Sequence, residues 1–390
     1  MIPIAKPLLD DTEAAAAAAV VRSGWLSQGA QVAAFEAEFA ARVRAPYACA
    51  VSNCTMALHL ALTVAGVGPG DEVVTVSHSF IATANVVRQC GAAPIFVDID
   101  PLTYNLDPNL LEAAITPRTR AVLCVHQLGM PCDLARILPI AGARGLAVIE
   151  DAACAIGSEI WLDGRWAPIG TPHADVACFS FHPRKVITTG EGGMLTTSHE
   201  EWDRQFRLLR QHGMSVSDAV RHHADQVVFE DYLVSGFNYR MTDIQAAIGR
   251  RQLQRLGGII ARRRELAARY RELLADIPPV RAPFEPDWAR SNWQSYAVGL
   301  PDVADQARVM QSMLEMGVAT RRGVMCAHLE PAYAAGAAPP LPASETAHRR
   351  TILLPLYPQM THSEQEAVVG ALRRALDAER ALGDALRAVA

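Results

Sequence analysis

At 390 residues, half of them apolar and a fifth charged, the chain can bury a core large enough for one large domain and a smaller one without disulfides. Its net charge of −5 leaves no electrostatic footprint for nucleic acid or an anionic membrane surface. The start, Met1 to Glu13, lacks the basic and apolar segments of a secretory signal, and no apolar run reaches the ~18 residues of a membrane span; a cytoplasmic protein without membrane contact is expected.

Along the chain, the alanine-rich run Ala14–Ala19 reads as a helix rather than disorder. From about 47 to 200, short β-branched runs alternate with amphipathic helices. Tyr47–Ser52, Val73–Val76, Pro94–Val97, Ala121–Val125, Ala147–Ile149, Val176–Phe181 and Met194–Thr197 read as strands, with helices at Thr55–Ala65, Leu110–Ile115 and Leu134–Ala143. That alternation predicts an α/β fold with a mostly parallel, helix-covered sheet, whose ligands collect outside the carboxyl ends of the strands. After Tyr239 a long helix is expected from Thr242 to about Ala275, followed by Pro-containing loops and a second, smaller α/β pattern ending in an Ala- and Arg-rich helix. The boundary is placed near residue 250, giving a large domain 1–250 with an N-terminal arm and a small C-terminal domain 251–390. The Ala334–Pro340 run is biased but short.

Of the 36 basic residues two are lysines, Lys6 and Lys185; the rest are arginines, whose guanidinium stays protonated and cannot form an imine. Covalent amine chemistry therefore has two candidates, and only Lys185 lies in a motif. The segment Ser180-Phe181-His182-Pro183-Arg184-Lys185-Val186-Ile187-Thr188-Thr189-Gly190-Glu191-Gly192-Gly193 leaves a strand, turns at Pro183 and re-enters a strand after a glycine cluster, where backbone can approach a ligand closely. Upstream, Asp151 follows a buried strand, Val148-Ile149-Glu150, and an acid there needs a cation or strong donor to stay ionised. A pyridinium nitrogen is such a cation. A Schiff-base lysine with an acid for the ring nitrogen is the minimum set for pyridoxal 5′-phosphate (PLP), although Asp151 alone also reads as a helix cap.

A phosphate needs backbone N–H groups at a helix start together with hydroxyls. Ser52-Asn53-Cys54-Thr55, between a strand and a good helix, has that form, with Ser180 as a second hydroxyl, though the same residues also cap helices that bind nothing. Phe80 follows a strand and is a candidate to stack on the ring; an aromatic there otherwise belongs to the core. The eight cysteines, Cys49, Cys54, Cys90, Cys124, Cys132, Cys154, Cys178 and Cys326, are scattered without a Cys-x-x-Cys pair, so they read as buried reduced thiols and no metal site is expected.

The 180–193 segment resembles the signature of the DegT/StrS aminotransferases, fold-type I PLP enzymes of the aspartate aminotransferase superfamily. Gly24-Trp25-Leu26-Ser27-Gln28-Gly29, Phe80-Ile81-Ala82-Thr83-Ala84-Asn85, Phe96-Val97-Asp98-Ile99-Asp100, Glu150-Asp151-Ala152-Ala153, Gly236-Phe237-Asn238-Tyr239-Arg240-Met241-Thr242-Asp243 and Leu354-Pro355-Leu356-Tyr357-Pro358 extend the likeness over almost the whole chain. The resemblance implies that Lys185 holds PLP, Asp151 pairs with the ring nitrogen, Phe80 stacks on the ring, and Cys54, Thr55 and Ser180 hold the phosphate. It implies that Asn238 reaches the phosphate of a neighbouring subunit, so that a homodimer shares the site; read alone, Asn238 is a turn residue. Cys154 stands where many members have His or Gln toward the phenolic oxygen, and offers only a weak S–H donor. Cys54 stands where Gly is frequent. Gln294, in Asn292-Trp293-Gln294-Ser295-Tyr296, stands where a second His is common, and Thr320-Arg321-Arg322-Gly323 replaces a single Arg followed by Pro.

The expected reaction has two stages. L-glutamate gives its amino group to the cofactor, leaving pyridoxamine phosphate and 2-oxoglutarate; a keto-sugar, foremost a nucleotide-linked 4-keto-6-deoxyhexose, then receives it. His182 and His126, at strand ends, are candidates to touch the acceptor, and Arg321 and His328 to meet a nucleotide diphosphate. Alternatives are amination of a keto-cyclitol of the scyllo-inosose type and a non-catalytic PLP-binding regulator, for which no basic DNA-reading helix pair is visible. PLP-dependent sugar dehydration is a third, against which Lys185 argues, since relatives with that activity have His in its place.

Overall fold

In the computed structural model, which describes residues 1–216, 221, 224–277, 280–334 and 339–389, nine strands precede residue 200. They are β1 (Tyr47–Val51), β2 (Glu72–Val76), β3 (Ala93–Val97), β4 (Thr119–Val125), β5 (Ala147–Asp151), β6 (Glu159–Leu162), β7 (Arg165–Pro168), β8 (Val176–Ser180) and β9 (Gly193–Thr197). The seven apolar runs read from the sequence form one sheet in the order β1-β9-β8-β5-β4-β2-β3. Contacts from β3 through β2, β4 and β5 to β8 are parallel, and β9 runs antiparallel to both β8 and β1. Helices cover it, so its strands are buried on both faces, which is why they read as continuous apolar runs.

This topology brings the ends of β1, β2, β4, β5 and β8 and the start of β9 to one edge. β5 runs past the expected Ile149 to Asp151, because Glu150 and Asp151 keep their pairing with Cys124 and Val125 on β4 and with Ala177 and Cys178 on β8. β6 and β7 form a hairpin absent from the expectation, extended by β10 (Ala289–Arg290). A separate antiparallel sheet is formed by β11 (Tyr296–Gly299), β12 (Arg321–Arg322) and β13 (Thr351–Leu354), ordered β11-β13-β12. Within the Ala334–Pro340 run, positions 335–338 lie outside the described residues.

The boundary expected at 250 falls inside a helix. Thr242 caps Asp243–Leu274 through a reciprocal box with Gln245, and the helix continues unbroken through 250. Leu253, Leu256, Ile259 and Ile260 pack into the core of the large sheet, whereas Leu266, Tyr270 and Leu274 pack with Tyr296 and Leu356 in a second core. The change of core lies between Ile260 and Leu266, where the amphipathic pattern shows no break. The N-terminal arm also belongs to the smaller unit: Ile2 N donates to Gly317 O at 2.8 Å and Leu356 N to Ile4 O at 3.2 Å.

Candidate active site

The strand-end edge gathers an acid, an amine and a helix start. Asp151, at the end of β5, is 5 % exposed. Thr83 Oγ1 donates to its Oδ2 at 2.8 Å, Ala153 N donates to its Oδ1 at 3.2 Å, and Ser79 Oγ lies 2.8 Å from Thr83 Oγ1. Burial pushes the Asp151 carboxyl above the usual range, and these donors together with the Lys185 charge only partly oppose it. Such a carboxylate has the capacity to stabilise a further cation placed against it.

Lys185 is half-buried, and its Nζ donates to Cys154 Sγ at 3.1 Å. Burial pulls the Lys185 pKa down, but Cys154, Asp151 and Cys54 outweigh it and hold the amine above the ordinary lysine value. The thiol predicted to face a cofactor oxygen thus meets the lysine.

The helix Cys54–Val64 starts beside this pair. Asn53 caps it, its side chain accepting from Met56 N at 3.0 Å, which leaves the first N–H groups, those of Cys54 and Thr55, at the open end of the helix dipole. Gly193 explains how this start meets Ser180. It pairs with Val51 on one side and Ser180 on the other, and a Cβ there would come within 2.5 Å of the Asn53 carbonyl and 2.8 Å of Cys54 N. The second glycine of Gly192-Gly193 is therefore required by a close backbone approach, and it sets Ser180 and the turn at 52–55 side by side. Cys54 Sγ points to the Cys178 carbonyl at 3.6 Å, and burial pushes its thiol well up, so Cys54 has its backbone N–H to offer an anion.

Phe80 is 71 % exposed at the end of β2, so the core reading of that aromatic does not hold. Its face is free for a planar ring, and one turn later Thr83 holds Asp151. Asn238 is exposed, in a loop tied to the turn at 52–55 by the Ser52 N to Tyr239 O bond of 2.8 Å. An amine, a buried acid with cation capacity, an open aromatic face and a glycine-spaced N–H cradle are the donor set that PLP requires, and the residues fit it.

Two of the expected substrate residues are held by partners within the fold. His126 is fully buried: Nε2 lies 2.7 Å from Glu150 Oε2 and Nδ1 accepts from Cys132 N at 2.9 Å, so it satisfies Glu150 beneath the strand ends. His328 is turned inward, Nδ1 lying 2.6 Å from Ser77 Oγ, and it ties the 326–329 segment to the end of β2. His182 is half-buried, with Nδ1 accepting from Arg184 N at 3.2 Å, and burial lowers its pKa. Arg321 is exposed on β12; burial, and then the Arg321 charge, lowers the pKa of Arg184, so two guanidinium groups share this part of the site.

The motif reading missed Thr83, which lies in the quoted Phe80–Asn85 segment without an assigned role. Asp243, in the Gly236–Asp243 motif, proves structural: it accepts from Gly29 N at 2.8 Å, Gln31 N at 3.1 Å and Val32 N at 3.0 Å, capping the helix Ala30–Val43 from a distance. Among the described residues no group of His, Cys, Asp and Glu is placed to hold a metal ion, and no helix is long and apolar enough to cross a membrane.

Known proteins share this plan. The spore coat polysaccharide biosynthesis protein SpsC of Bacillus subtilis is 39% identical over 381 residues, spanning 95% of this chain and 96% of its own. The aminotransferase TlmJ from Streptoalloteichus hindustanus superposes with a TM-score of 0.89 at 35% identity, over 97% of this chain and 99% of its own. Spr1654 from Streptococcus pneumoniae, described as a sugar aminotransferase, matches in its PLP form with a TM-score of 0.89 at 26% identity, over 97% of this chain and 99% of its own. The model of the DegT/DnrJ/EryC1/StrS aminotransferase family matches residues 7–373, and the chain accordingly belongs to that family, as a PLP-dependent aminotransferase of fold-type I.

Proposed function

We propose that this enzyme moves the amino group of L-glutamate to a keto-sugar, specifically a nucleotide-linked 4-keto-6-deoxyhexose. The observation that carries the reading is the convergence at the strand ends of the Lys185 amine and the buried Asp151, whose carboxyl burial holds above its usual range while the nearby Lys185 charge opposes it. The sugar follows from the relatives: SpsC serves polysaccharide biosynthesis and Spr1654 is described as a sugar aminotransferase.

Lys185 would hold PLP as a Schiff base, Asp151 would face its ring nitrogen and Phe80 its ring. Cys54, Thr55 and Ser180 would hold its phosphate, and Asn238 of a second copy would complete that site across a homodimer. Bound PLP supplies a protonated ring that withdraws electron density from the substrate Cα–H bond. Asp151 keeps that demand high, because a carboxylate in a dry site stabilises positive charge opposite it far better than water does. Once freed, the Lys185 amine takes the proton from the donor Cα and later returns a proton to the acceptor carbon. Arg184 and Arg321, without carboxylate partners among the described residues, suit an anionic substrate group such as a diphosphate or the glutamate carboxylates. His182, half-buried beside Arg184, is a histidine candidate for the acceptor.

The test is single-turnover conversion. Enzyme loaded with pyridoxamine phosphate is offered nucleotide-linked 4-keto-6-deoxyhexoses and free scyllo-inosose, and recovery of the visible lysine-bound cofactor band is followed. Recovery with a nucleotide keto-sugar is expected; recovery with the free cyclitol alone would overturn the acceptor assignment.

A further inference from the structure

Where the chain crosses from the hairpin sheet to β11, Ser291–Ser295 is held more firmly than a connecting segment needs. Trp293 lies in the left-handed region at φ 53°, a strained conformation for a bulky residue that persists only where its surroundings over-determine it. Arg263, itself buried, donates to the Trp293 and Gln294 carbonyls at 3.0 and 3.3 Å. Asn292 is fully buried; its Nδ2 donates to the Cys154 and Ile156 carbonyls at 2.8 and 2.9 Å, and its Oδ1 accepts from Gln294 N at 2.8 Å. Gly129, at φ 97°, packs against it so closely that a Cβ would come within 2.0 Å of Asn292 Oδ1.

All of this delivers one amide. Gln294 is 8 % exposed, and its Nε2 donates to the Arg184 carbonyl at 2.5 Å, on the peptide that leads into Lys185. A carbonyl only accepts, so the chemistry fixes which end of each amide faces the backbone. Asn292 therefore grips the main chain at Cys154 and Gln294 grips the main chain at Arg184, one residue before Lys185, and the side chains of Cys154 and Lys185 meet at 3.1 Å.

We infer that Asn292 and Gln294 are positioning residues, a brace that fixes where Lys185 Nζ stands when it moves the substrate proton. The inference rests on the role proposed for Lys185. Neither amide touches reacting atoms; both act through the backbone they hold. Gln294 Oε1 is buried with no partner among the described residues, so a leucine of similar size removes the grip on Arg184 without stranding another group of the side chain.

The experiment uses the holoenzyme and Gln294→Leu, with Gln294→His as the variant that restores a ring N–H donor. In Gln294→Leu, kcat with L-glutamate should fall on the order of ten- to a hundredfold with KM changed less than about threefold, because a misplaced base costs rate and not binding. The primary isotope effect with α-deuterated glutamate should rise, the pH midpoint of the visible lysine-bound cofactor band should move, and Gln294→His should recover part of both. An unchanged isotope effect and band in Gln294→Leu overturns the inference, as does a loss of kcat matched by an equal loss of urea resistance in the apoenzyme. Lys185→Ala run alongside separates the two levels: persistence of the band there sinks the lysine assignment itself.

Discussion

Two buried acid–base clusters in the large domain are built from the same ingredients and do opposite things. Glu36, on the helix Ala30–Val43, is closed on itself: Arg207 and Arg210 both donate to it, Arg207 at 2.7 Å, and Ala50 N donates at 2.8 Å. Burial alone would raise the Glu36 carboxyl, but Arg210 and Arg207 more than offset it and hold the pKa below the usual range. Asp151 receives two neutral donors while Lys185 turns toward Cys154, and burial keeps its pKa above the usual range. One cluster has spent its electrostatic capacity on its own fold. The other leaves its carboxyl without an ion pair among the described residues, the arrangement that the cofactor pairing proposed for Asp151 requires.

Breaking each cluster at its centre should show that difference most strongly. Lys185→Ala is expected to remove the visible cofactor band and to lower turnover by more than about 10³-fold, with thermal stability close to wild type. Activity within tenfold of wild type would dismiss the assignment. Glu36→Ala should do the reverse, destabilising the fold by about 3–5 kcal/mol in urea titration by stranding the buried Arg210, while kcat per folded molecule is retained. The sign of its pH dependence follows from its lowered pKa: the contribution is full above the unfolded carboxyl pKa and is lost as pH falls through the folded one. A Glu36→Ala protein as stable as wild type at pH 7 would show that the cluster locks nothing.

A finer cut sharpens the contrast. Thr83→Val removes the hydroxyl that donates to Asp151 and nearly preserves shape, so the carboxyl should become still harder to ionise. We expect a loss of roughly tenfold in kcat, the equivalent of one hydrogen bond to a charged group, and an upward shift of the acidic limb of the kcat–pH profile. An unmoved acidic limb would detach Thr83 from the acid.

Thr83 also marks the limit of what was legible beforehand. The seven sheet strands were readable because burial on both faces writes an apolar run, and Lys185 stood out because it is the one lysine in a glycine-rich strand-end motif. The helix start at Cys54 followed from strand–turn–helix order. The hairpin β6–β7 was overlooked although Asp163 and Gly164, at φ 52° and 75°, are the residue pair that such a turn favours. The Thr83–Asp151 bond joins residues 68 positions apart, and Gln294 reaches Arg184 across 110; no local periodicity encodes such pairs. The His126–Glu150 contact was hidden for the same reason, since Glu150 lies on the neighbouring strand and shows only once the strands are in register. The domain boundary was invisible because one amphipathic helix serves both cores.

A third buried group completes the comparison, and its effect is the smallest. His78, just past the end of β2, is 1 % exposed, and neither ring nitrogen makes a well-formed hydrogen bond among the described residues, the Tyr104 backbone and Asp98 only partly favouring its charged form. Burial, assisted by the charge of His348, pushes its pKa down to about 3, whereas the unfolded chain protonates near the ordinary histidine value of about 6.5. Between those values the unfolded state binds the extra proton, so the histidine draws stability away as pH falls through that window and is neutral in this respect above it. His78→Leu removes the titrating ring, and the decline of Tm between pH 6.5 and pH 4 should be shallower than in wild type, with the two curves parallel above pH 7. Identical slopes through the acid window would mean that the ring finds a proton acceptor in the folded protein, and that this polar group belongs with the satisfied Glu36 cluster rather than standing apart from both.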